Sequence, residues 1–299
     1  MDGLQLLDTD LLEKKKILQE ILYWKNLFRS QIGWHYILDL IWQMDSIESL
    51  ELSRGAKILD AGAGIGLMQY LLAARGFEVY SIDFATRRIT WPKSWIFRMQ
   101  YLKNEQHSDE YLNHLSRHRK SSKMNQILYE LKKIILNYHI KLIKEILSRS
   151  KHGKIYYYQD DFSNMSLIED GFFDAVVSTS AIEHNKEFEK IGISVREFMR
   201  VLRKNRPLLI TTSATNRETW FHEPSHGWCF SQDDLKSIFD MVECRSNFNT
   251  FDNVYKNIIG SEFLKKNLAK YYYTSASGGL PYGVWKPEYL PAGITKWKQ

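Results

Sequence analysis

The chain has 299 residues, of which 44% are hydrophobic and 25% are charged, and its formal net charge is +6. This composition is typical of a globular protein with ample core material, and it excludes a disordered or fibrous chain. No apolar run approaches the roughly 18 residues that a membrane-spanning helix needs. The first ten residues carry acids where a signal peptide would carry Lys or Arg. We therefore expect a soluble, cytoplasmic protein.

The charge is unevenly distributed along the chain. Residues 84–154 contain sixteen Lys and Arg against five Asp and Glu, a local balance of +11, so the remainder is net −5. A segment this basic can bind an anionic partner, or it can be the solvated surface of a helix. Two cysteines are too few for a disulfide framework, and we expect no metal site.

The first predicted elements are helices. Asp10 and Glu13 have the spacing of a capping box, and apolar residues follow them at helical intervals. A second helix is predicted from Gly33 to Ser49. We interpret residues 1–53 as an N-terminal helical cap.

The pattern changes at Ala56. The run AKILDAG is typical of a buried strand of a parallel sheet, LMQYLLAARG predicts a helix that ends at Gly76, and FEVYSIDF predicts a second strand that ends at Asp83. A strand, a helix and a strand within about thirty residues form the basic unit of a doubly wound sheet.

Residues 84–153 interrupt this alternation and predict a helical insertion, with apolar residues at helical spacing from Ile127 to Ile146. Strands and helices then alternate again, and Ser231 is the predicted N-cap of one of the helices. Residues 249–281 are predicted to be a loop-rich insertion, and YGVWKP the last strand. The prediction for residues 54–299 is therefore an α/β domain with a doubly wound, mainly parallel, seven-stranded sheet.

Three glycines follow the first predicted strand of this domain, at positions 62, 64 and 66. Glycines between a strand and a helix let a ligand lie against the backbone, and the helix N-terminus offers free N–H groups. A dinucleotide site would have the spacing G-x-G-x-x-G. Here the spacing differs, and Asp60 would repel a pyrophosphate. The loop thus predicts a nucleotide-type ligand with a cationic or donor-rich group.

Asp60-Ala61-Gly62-Ala-Gly64-Ile-Gly66 resembles the first motif of class I S-adenosylmethionine-dependent methyltransferases. The resemblance implies a Rossmann-like fold, S-adenosylmethionine as cofactor, and methyl transfer as the activity. It also implies that these residues bind the cofactor.

Later motifs continue the resemblance in the same order. Asp83, followed by Phe84, matches the acid that binds the ribose hydroxyls in the family. Asp161 matches the acid that faces the adenine amino group, with Phe162 beside the ring; Asp160 is the alternative register. FFDAVVSTSAIEHN is similar to the motif of the fourth strand, which adds Ser180 to the predicted cofactor site.

Glu183 and His184 follow that strand and are the candidate catalytic residues. A histidine titrates near neutral pH and suits removal of a hydroxyl proton. His222, His226 and Trp228 lie in TWFHEPSHGWCF, after the predicted fifth strand. Loops at the carboxyl ends of strands form the ligand crevice of this fold class, so these three residues are predicted to bind the acceptor.

The favoured function is O-methylation of a small molecule or glycan, including one attached to an anionic carrier that the basic segment would bind. An RNA methyltransferase that uses residues 84–154 is the first alternative. A non-catalytic protein that binds S-adenosylmethionine is the second. An NAD-dependent enzyme fits the glycine spacing less well.

Overall fold

The computed structural model describes residues 1–102 and 140–299. Strands run over β1 Gly3–Leu6, β2 Lys57–Ala61, β3 Glu78–Asp83, β4 Arg98–Leu102, β5 Lys154–Gln159, β6 Ala175–Thr179, β7 Pro207–Ala214, β8 Trp220–His222, β9 Gly227–Cys229, β10 Arg245–Ser246 and β11 Leu290–Trp297. Helices run over α1 Lys15–Phe28, α2 Tyr36–Ser49, α3 Met68–Ala74, α4 Lys93–Ile96, α5 Ile140–Leu147, α6 Phe188–Val201, α7 Gln232–Ile238, α8 Phe251–Ile259 and α9 Glu262–Lys266.

Within the described residues, nine strands form one sheet in the order β10-β1-β11-β7-β6-β2-β3-β5-β4. Among these nine strands, β11 alone is antiparallel to both of its neighbours, β1 and β7. From β2 the chain proceeds in one direction through β3 and β5, and then in the other through β6 and β7. This reversal confirms the predicted doubly wound, mainly parallel sheet. The sheet has nine strands rather than seven because both ends of the order include strands that the sequence did not predict.

The central strands are buried, as their apolar sequences predict. All eight residues of β7 and four of the five residues of β6 are buried. Helix α2 packs against β6, β7 and β11, and α3 packs against β2, β3 and β5. Burial on this scale suits the near-continuous apolar runs of parallel strands.

The N-terminal segment differs from its prediction as a purely helical cap. Residues Gly3–Leu6 form β1, which lies in the sheet between β11 and β10. The predicted capping box is also wrong. The N-cap is Asp8, whose side chain accepts a hydrogen bond from the Thr9 N–H, and it begins a short 3₁₀ helix before α1. Asp8 stands two residues before Asp10, so the same acid-rich sequence offered two registers.

The described parts of the predicted insertion are not wholly helical. Residues Arg98–Leu102 form β4, which pairs with β5 at the edge of the sheet. Helix α5 coincides with the end of the predicted amphipathic helix. The rest of that predicted helix, from Ile127 onward, lies outside the described residues.

The C-terminal region holds two further differences. YGVWKP is not a strand: Tyr282 and Gly283 have φ values of 51° and 75°, and the last strand is Leu290–Trp297. The segment predicted to be loop-rich contains α8 and α9. The N-cap prediction at Ser231 is confirmed, since its hydroxyl accepts a hydrogen bond from the Asp234 N–H at 3.1 Å.

Candidate active site

The candidate site lies where the winding direction of the sheet reverses, between β2 and β6. In open α/β sheets, ligands bind outside the carboxyl ends of the strands at this switch point. The glycine loop follows β2, and residues 180–184 follow β6. Their proximity is shown at Gly62, where an added Cβ would lie 2.4 Å from the Ala181 Cβ and 3.3 Å from Phe162 Cε1.

The glycine loop has a backbone that requires glycine. Gly62 and Gly64 have φ values of 70° and 46°, in the left-handed region that other residues adopt only with strain. The N–H groups of Gly62 and Ala63 donate to the Ile82 carbonyl oxygen at 3.0 and 3.1 Å, which ties the loop to β3. An added Cβ at Gly66 would lie 2.9 Å from the Ala63 carbonyl oxygen.

Asp83 joins the end of β3 to this loop. Its carboxylate accepts hydrogen bonds from the Gly64 N–H at 2.7 Å and from the Ala85 N–H at 2.8 Å. The residue is 7% exposed. Two backbone donors to one carboxylate fix the position of both the loop and the acid.

Asp60 is the most perturbed acid of the site. It is 1% exposed, and its Oδ2 has no hydrogen-bond partner among the described residues. Burial raises the pKa of Asp60 to about 7, against the opposing effect of Arg87 and with a further rise from Asp83. A buried oxygen without a partner beside a cradle that a Cβ would fill fits a ligand that brings hydrogen-bond donors or positive charge, as S-adenosylmethionine does.

The other predicted cofactor residues differ from one another in exposure and in the contacts that they make. Asp161 is exposed, and its Oδ1 accepts from the Ser163 N–H at 2.8 Å in a local turn. Asp160, the alternative register, accepts from the Tyr158 hydroxyl at 2.8 Å. Phe162 lies beside Gly62 and against Phe198, with ring centroids 5.5 Å apart. Phe84 is 78% exposed at the end of β3.

Three polar residues follow β6. Ser180 has a φ of 44°, and its hydroxyl donates to Asp39 Oδ2 at 3.1 Å. Glu183 is 3% exposed and accepts from the Thr212 hydroxyl at 3.1 Å. Burial raises the pKa of Glu183, and His184 opposes that rise. His184 is exposed, and its Nδ1 lies 3.0 Å from the His226 carbonyl oxygen.

The predicted acceptor residues lie on or beside the β8–β9 hairpin. His222 is 3% exposed, and its Nδ1 lies 2.6 Å from the Ser225 hydroxyl oxygen. Burial lowers the pKa of His222, against the opposing effect of Glu288. Trp228 donates its indole N–H to the Asn185 carbonyl oxygen at 2.9 Å, whereas the His226 side chain is exposed. The hairpin therefore contacts His184 through the His226 backbone.

A cavity of about 160 Å³ lies beside Glu183. Among the described residues, those that line it come from the start of α2, the segment after β6, the end of β7, the β8–β9 turn and the C-terminal region: His35, Tyr36, Glu183, His184, Ser213, Pro224, Ser225, Tyr271, Tyr272, Ser277, Gly278 and Tyr289. Burial raises the pKa of the cavity tyrosines at 36, 271, 272 and 289, so their hydroxyls stay protonated. This cavity can hold a small molecule between aromatic rings and polar atoms.

The sequence prediction missed the contribution of α2 to this cavity. His35, Asp39 and Gln43 are spaced by four residues, so they share one face of a helix whose residues 36–44 are otherwise apolar. That spacing was the available signal. The cavity tyrosines carried no such signal, because aromatic residues between turns also pack as ordinary core.

Across residues 1–102 and 140–299, no group of three or more His, Cys, Asp or Glu could hold a metal ion. No helix in this part of the chain is long and apolar enough to cross a membrane.

Part of the chain is similar to known methyltransferases. Residues 132–210 match the family model of a methyltransferase domain. No curated protein sequence matches the chain significantly. A methyltransferase structure from Methanosarcina mazei is similar over 65% of this chain and 82% of its own, with 15% identity and a TM-score of 0.38. The Burkholderia thailandensis 1,6-didemethyltoxoflavin-N1-methyltransferase is similar over 97% of this chain and 89% of its own, with 11% identity and a TM-score of 0.43.

The matched domain and the glycine loop at the switch point agree with the motifs in the sequence. The match over residues 132–210 supports an S-adenosylmethionine-dependent methyltransferase.

Proposed function

We propose that the protein O-methylates a small, uncharged acceptor that binds in the cavity beside Glu183. The observation that carries the proposal is the cavity lining, which among the described residues holds four tyrosines, a buried carboxylate and two histidines but no Lys or Arg. Such a lining suits hydroxyl groups on a flat or cyclic molecule, and it disfavours a phosphate or carboxylate inside the cavity. An anionic carrier would have to bind outside it.

In this proposal the site has two halves. The cofactor half surrounds the glycine loop, and the acceptor half is the cavity beside Glu183. Asp60, Ala61, Gly62, Gly64, Gly66 and Asp83 surround one side of the switch point, and Phe162 and Ser180 lie across from them. We propose that these residues bind S-adenosylmethionine, with Asp83 at the ribose hydroxyls and Asp161 and Phe84 at the rim. When bound, the cofactor supplies an electrophilic methyl group on a sulfonium, so the protein mainly has to position the acceptor.

Glu183 and His184 remain the predicted catalytic residues. Both line the cavity, which supports contact with the acceptor. His226 and Trp228 would act through the hairpin that supports His184, because the His226 carbonyl oxygen contacts the His184 ring and Trp228 contacts the Asn185 backbone. His222 is buried, and its ring is already bonded to Ser225.

Calorimetric titration with S-adenosylhomocysteine tests the cofactor half of the proposal. We expect micromolar binding to the wild type and a loss of binding in Asp83→Ala, since that substitution removes the acceptor for two loop N–H groups. Asp252→Ala is the matched control, because Asp252 is exposed on α8 and is not among the predicted site residues. Failure of the wild type to bind would contradict the proposal, and the titration would then be repeated with NAD.

The excess of +11 charges in residues 84–154 supports one alternative, an RNA methyltransferase. Part of that segment lies outside the described residues. A gel shift with bulk RNA at rising salt separates the two functions, because binding through phosphates weakens steeply with salt. Absence of a shift at low salt would eliminate RNA as the substrate. A non-catalytic role would require that substitution of both Glu183 and His184 leaves cellular function unchanged.

A further inference from the structure

The polar stripe of α2, consisting of His35, Asp39 and Gln43, is buried in the centre of the molecule. The three side chains are 2%, 0% and 0% exposed. Burying polar groups is costly unless they are hydrogen-bonded. Gln43 is accounted for, because its amide donates to two carbonyl oxygens of β6 and β7 and accepts from the Thr179 hydroxyl. His35 and Asp39 are not explained by packing alone.

Asp39 fixes the tautomer of His35. Its Oδ2 lies 2.7 Å from His35 Nδ1 and also accepts from the Ser180 hydroxyl at 3.1 Å. A carboxylate oxygen only accepts, so Nδ1 carries the hydrogen and Nε2 holds the free lone pair. The ring plane is held by Tyr36, stacked at 4.6 Å between centroids, and by Trp34 at 5.2 Å.

His35 lines the cavity, and its Nε2 has no hydrogen-bond partner in the part of the chain that the structure describes. Asp39 Oδ1 is likewise buried without a partner there. The dyad is linked to the cofactor half of the site through Ser180, since the next residue, Ala181, lies against Gly62. A buried carboxylate oxygen without a protein partner, on a side chain bonded to a histidine that lines the cavity, indicates that a ligand completes the bonding at this dyad.

We propose that His35 is the base that accepts the hydroxyl proton of the acceptor, and that Asp39 is its positioning residue. This inference rests on the proposed function. The acceptor oxygen forms a bond to the methyl carbon while the methyl–sulfur bond breaks and leaves its electron pair on sulfur. The hydroxyl proton passes to His35 Nε2, and the resulting imidazolium faces the Asp39 carboxylate and later releases the proton to solvent.

His184 suits this role less well than His35. Its ring is exposed and is oriented by a backbone carbonyl rather than by a carboxylate. The ionisable groups that face His35 are Asp39 and Tyr36 on its own segment, Glu183 from the segment after β6, and Tyr289 from the C-terminal region. The Asp39 carboxylate, hydrogen-bonded to His35 Nδ1, stabilises the imidazolium that forms when Nε2 accepts a proton. His184 has no such carboxylate on its Nδ1, which contacts a backbone carbonyl oxygen.

The first test needs no acceptor. Long-range ¹H–¹⁵N correlation spectra of the histidine-labelled protein report which ring nitrogen carries the hydrogen, and His35→Gln assigns the signals of His35. We expect Nδ1–H and a bare Nε2 at neutral pH, and loss of this fixed tautomer in Asp39→Asn. A hydrogen on Nε2 of the wild type would overturn the proposal, because that nitrogen could not accept a proton.

The second test measures methyl transfer from labelled S-adenosylmethionine to a panel of phenols, catechols and free hexoses. We expect kcat to fall by about 100-fold or more in His35→Gln and Asp39→Asn, while KM and S-adenosylhomocysteine affinity change less than about threefold. His152→Gln is the control, because it removes another buried histidine beside a carboxylate, Glu145 at 3.2 Å, away from the cavity.

The outcomes separate the two proposals. A kcat in His35→Gln within about threefold of the wild type would overturn the role of His35 and leave the proposed function intact. Failure of the wild type to bind S-adenosylhomocysteine would overturn the proposed function itself. If no compound on the panel is methylated, the tautomer of His35 in the spectra decides whether its Nε2 can act as the base.

Discussion

At the scale of single residues, position 62 of the glycine loop has no room for a side chain. Gly62→Ala would place a Cβ 2.4 Å from the Ala181 Cβ, at a φ of 70°. We expect S-adenosylhomocysteine affinity to fall at least about tenfold and stability to fall by about 1–3 kcal/mol, as for an overpacked core. Calorimetry and urea unfolding measure the two effects.

Gly55→Ala is the matched control, since Gly55 has a φ of 81° but no atom within 4 Å of an added Cβ. It should lose about 1 kcal/mol to backbone strain and bind S-adenosylhomocysteine normally. Equal losses of affinity in both variants would show that contact with Ala181 is not the cause.

Asp60 predicts a pH dependence of stability. Its pKa is about 7 in the folded protein, against 3.8 when unperturbed. Between these values the folded state binds more protons than the unfolded state, so stability decreases as pH rises. Relative to Asp60→Asn, the free energy of unfolding of the wild type should therefore fall by about 3 kcal/mol between pH 5 and pH 8. The fall comes from the roughly two pH units of this interval that lie below pH 7, at about 1.4 kcal/mol for each unit. Urea unfolding of both proteins at the two pH values tests this, and a constant difference would contradict it.

At the scale of elements, helix α2 is held to the sheet by the amide of Gln43. Gln43→Met keeps the side-chain volume but leaves two carbonyl oxygens and the Thr179 hydroxyl without their partner. We expect a loss of about 2–4 kcal/mol in the free energy of unfolding. Gln232→Met, which removes an exposed hydrogen bond to Ser246, should cost less than about 0.5 kcal/mol. Comparable losses in the two variants would contradict the proposed anchoring role.

The elements also show where sequence reasoning succeeds and fails. The alternation from β2 to β7, and the glycine loop within it, could be predicted because long apolar runs and glycine spacing are local signals. Strand β1 could not, since four residues carry too little periodicity and its pairing depends on β11, the last strand of the chain. The cavity was missed for the same reason: its lining comes from segments more than two hundred residues apart.

At the scale of the whole molecule, the two ends of the chain meet in one sheet. Strand β1 pairs with β11 along four residues, and the Asp2 carboxylate accepts from the Trp297 N–H at 2.9 Å. Helix α2 then packs across β6, β7 and β11. We therefore expect residues 1–53 to fold together with the rest of the chain, because neither part would bury its apolar surface alone.

Leu6→Ala tests this coupling of the N-terminal segment to the rest of the chain. Leu6 is 0% exposed in β1, so its truncation should lower the free energy of unfolding by about 2–5 kcal/mol. Leu167→Ala, at a site that is 58% exposed, should cost less than about 0.5 kcal/mol. If the segment is integral to the fold, tryptophan fluorescence and far-ultraviolet circular dichroism will report one coincident transition that shifts as a whole in Leu6→Ala. A separate early transition confined to part of the signal would instead make residues 1–53 an independently unfolding cap.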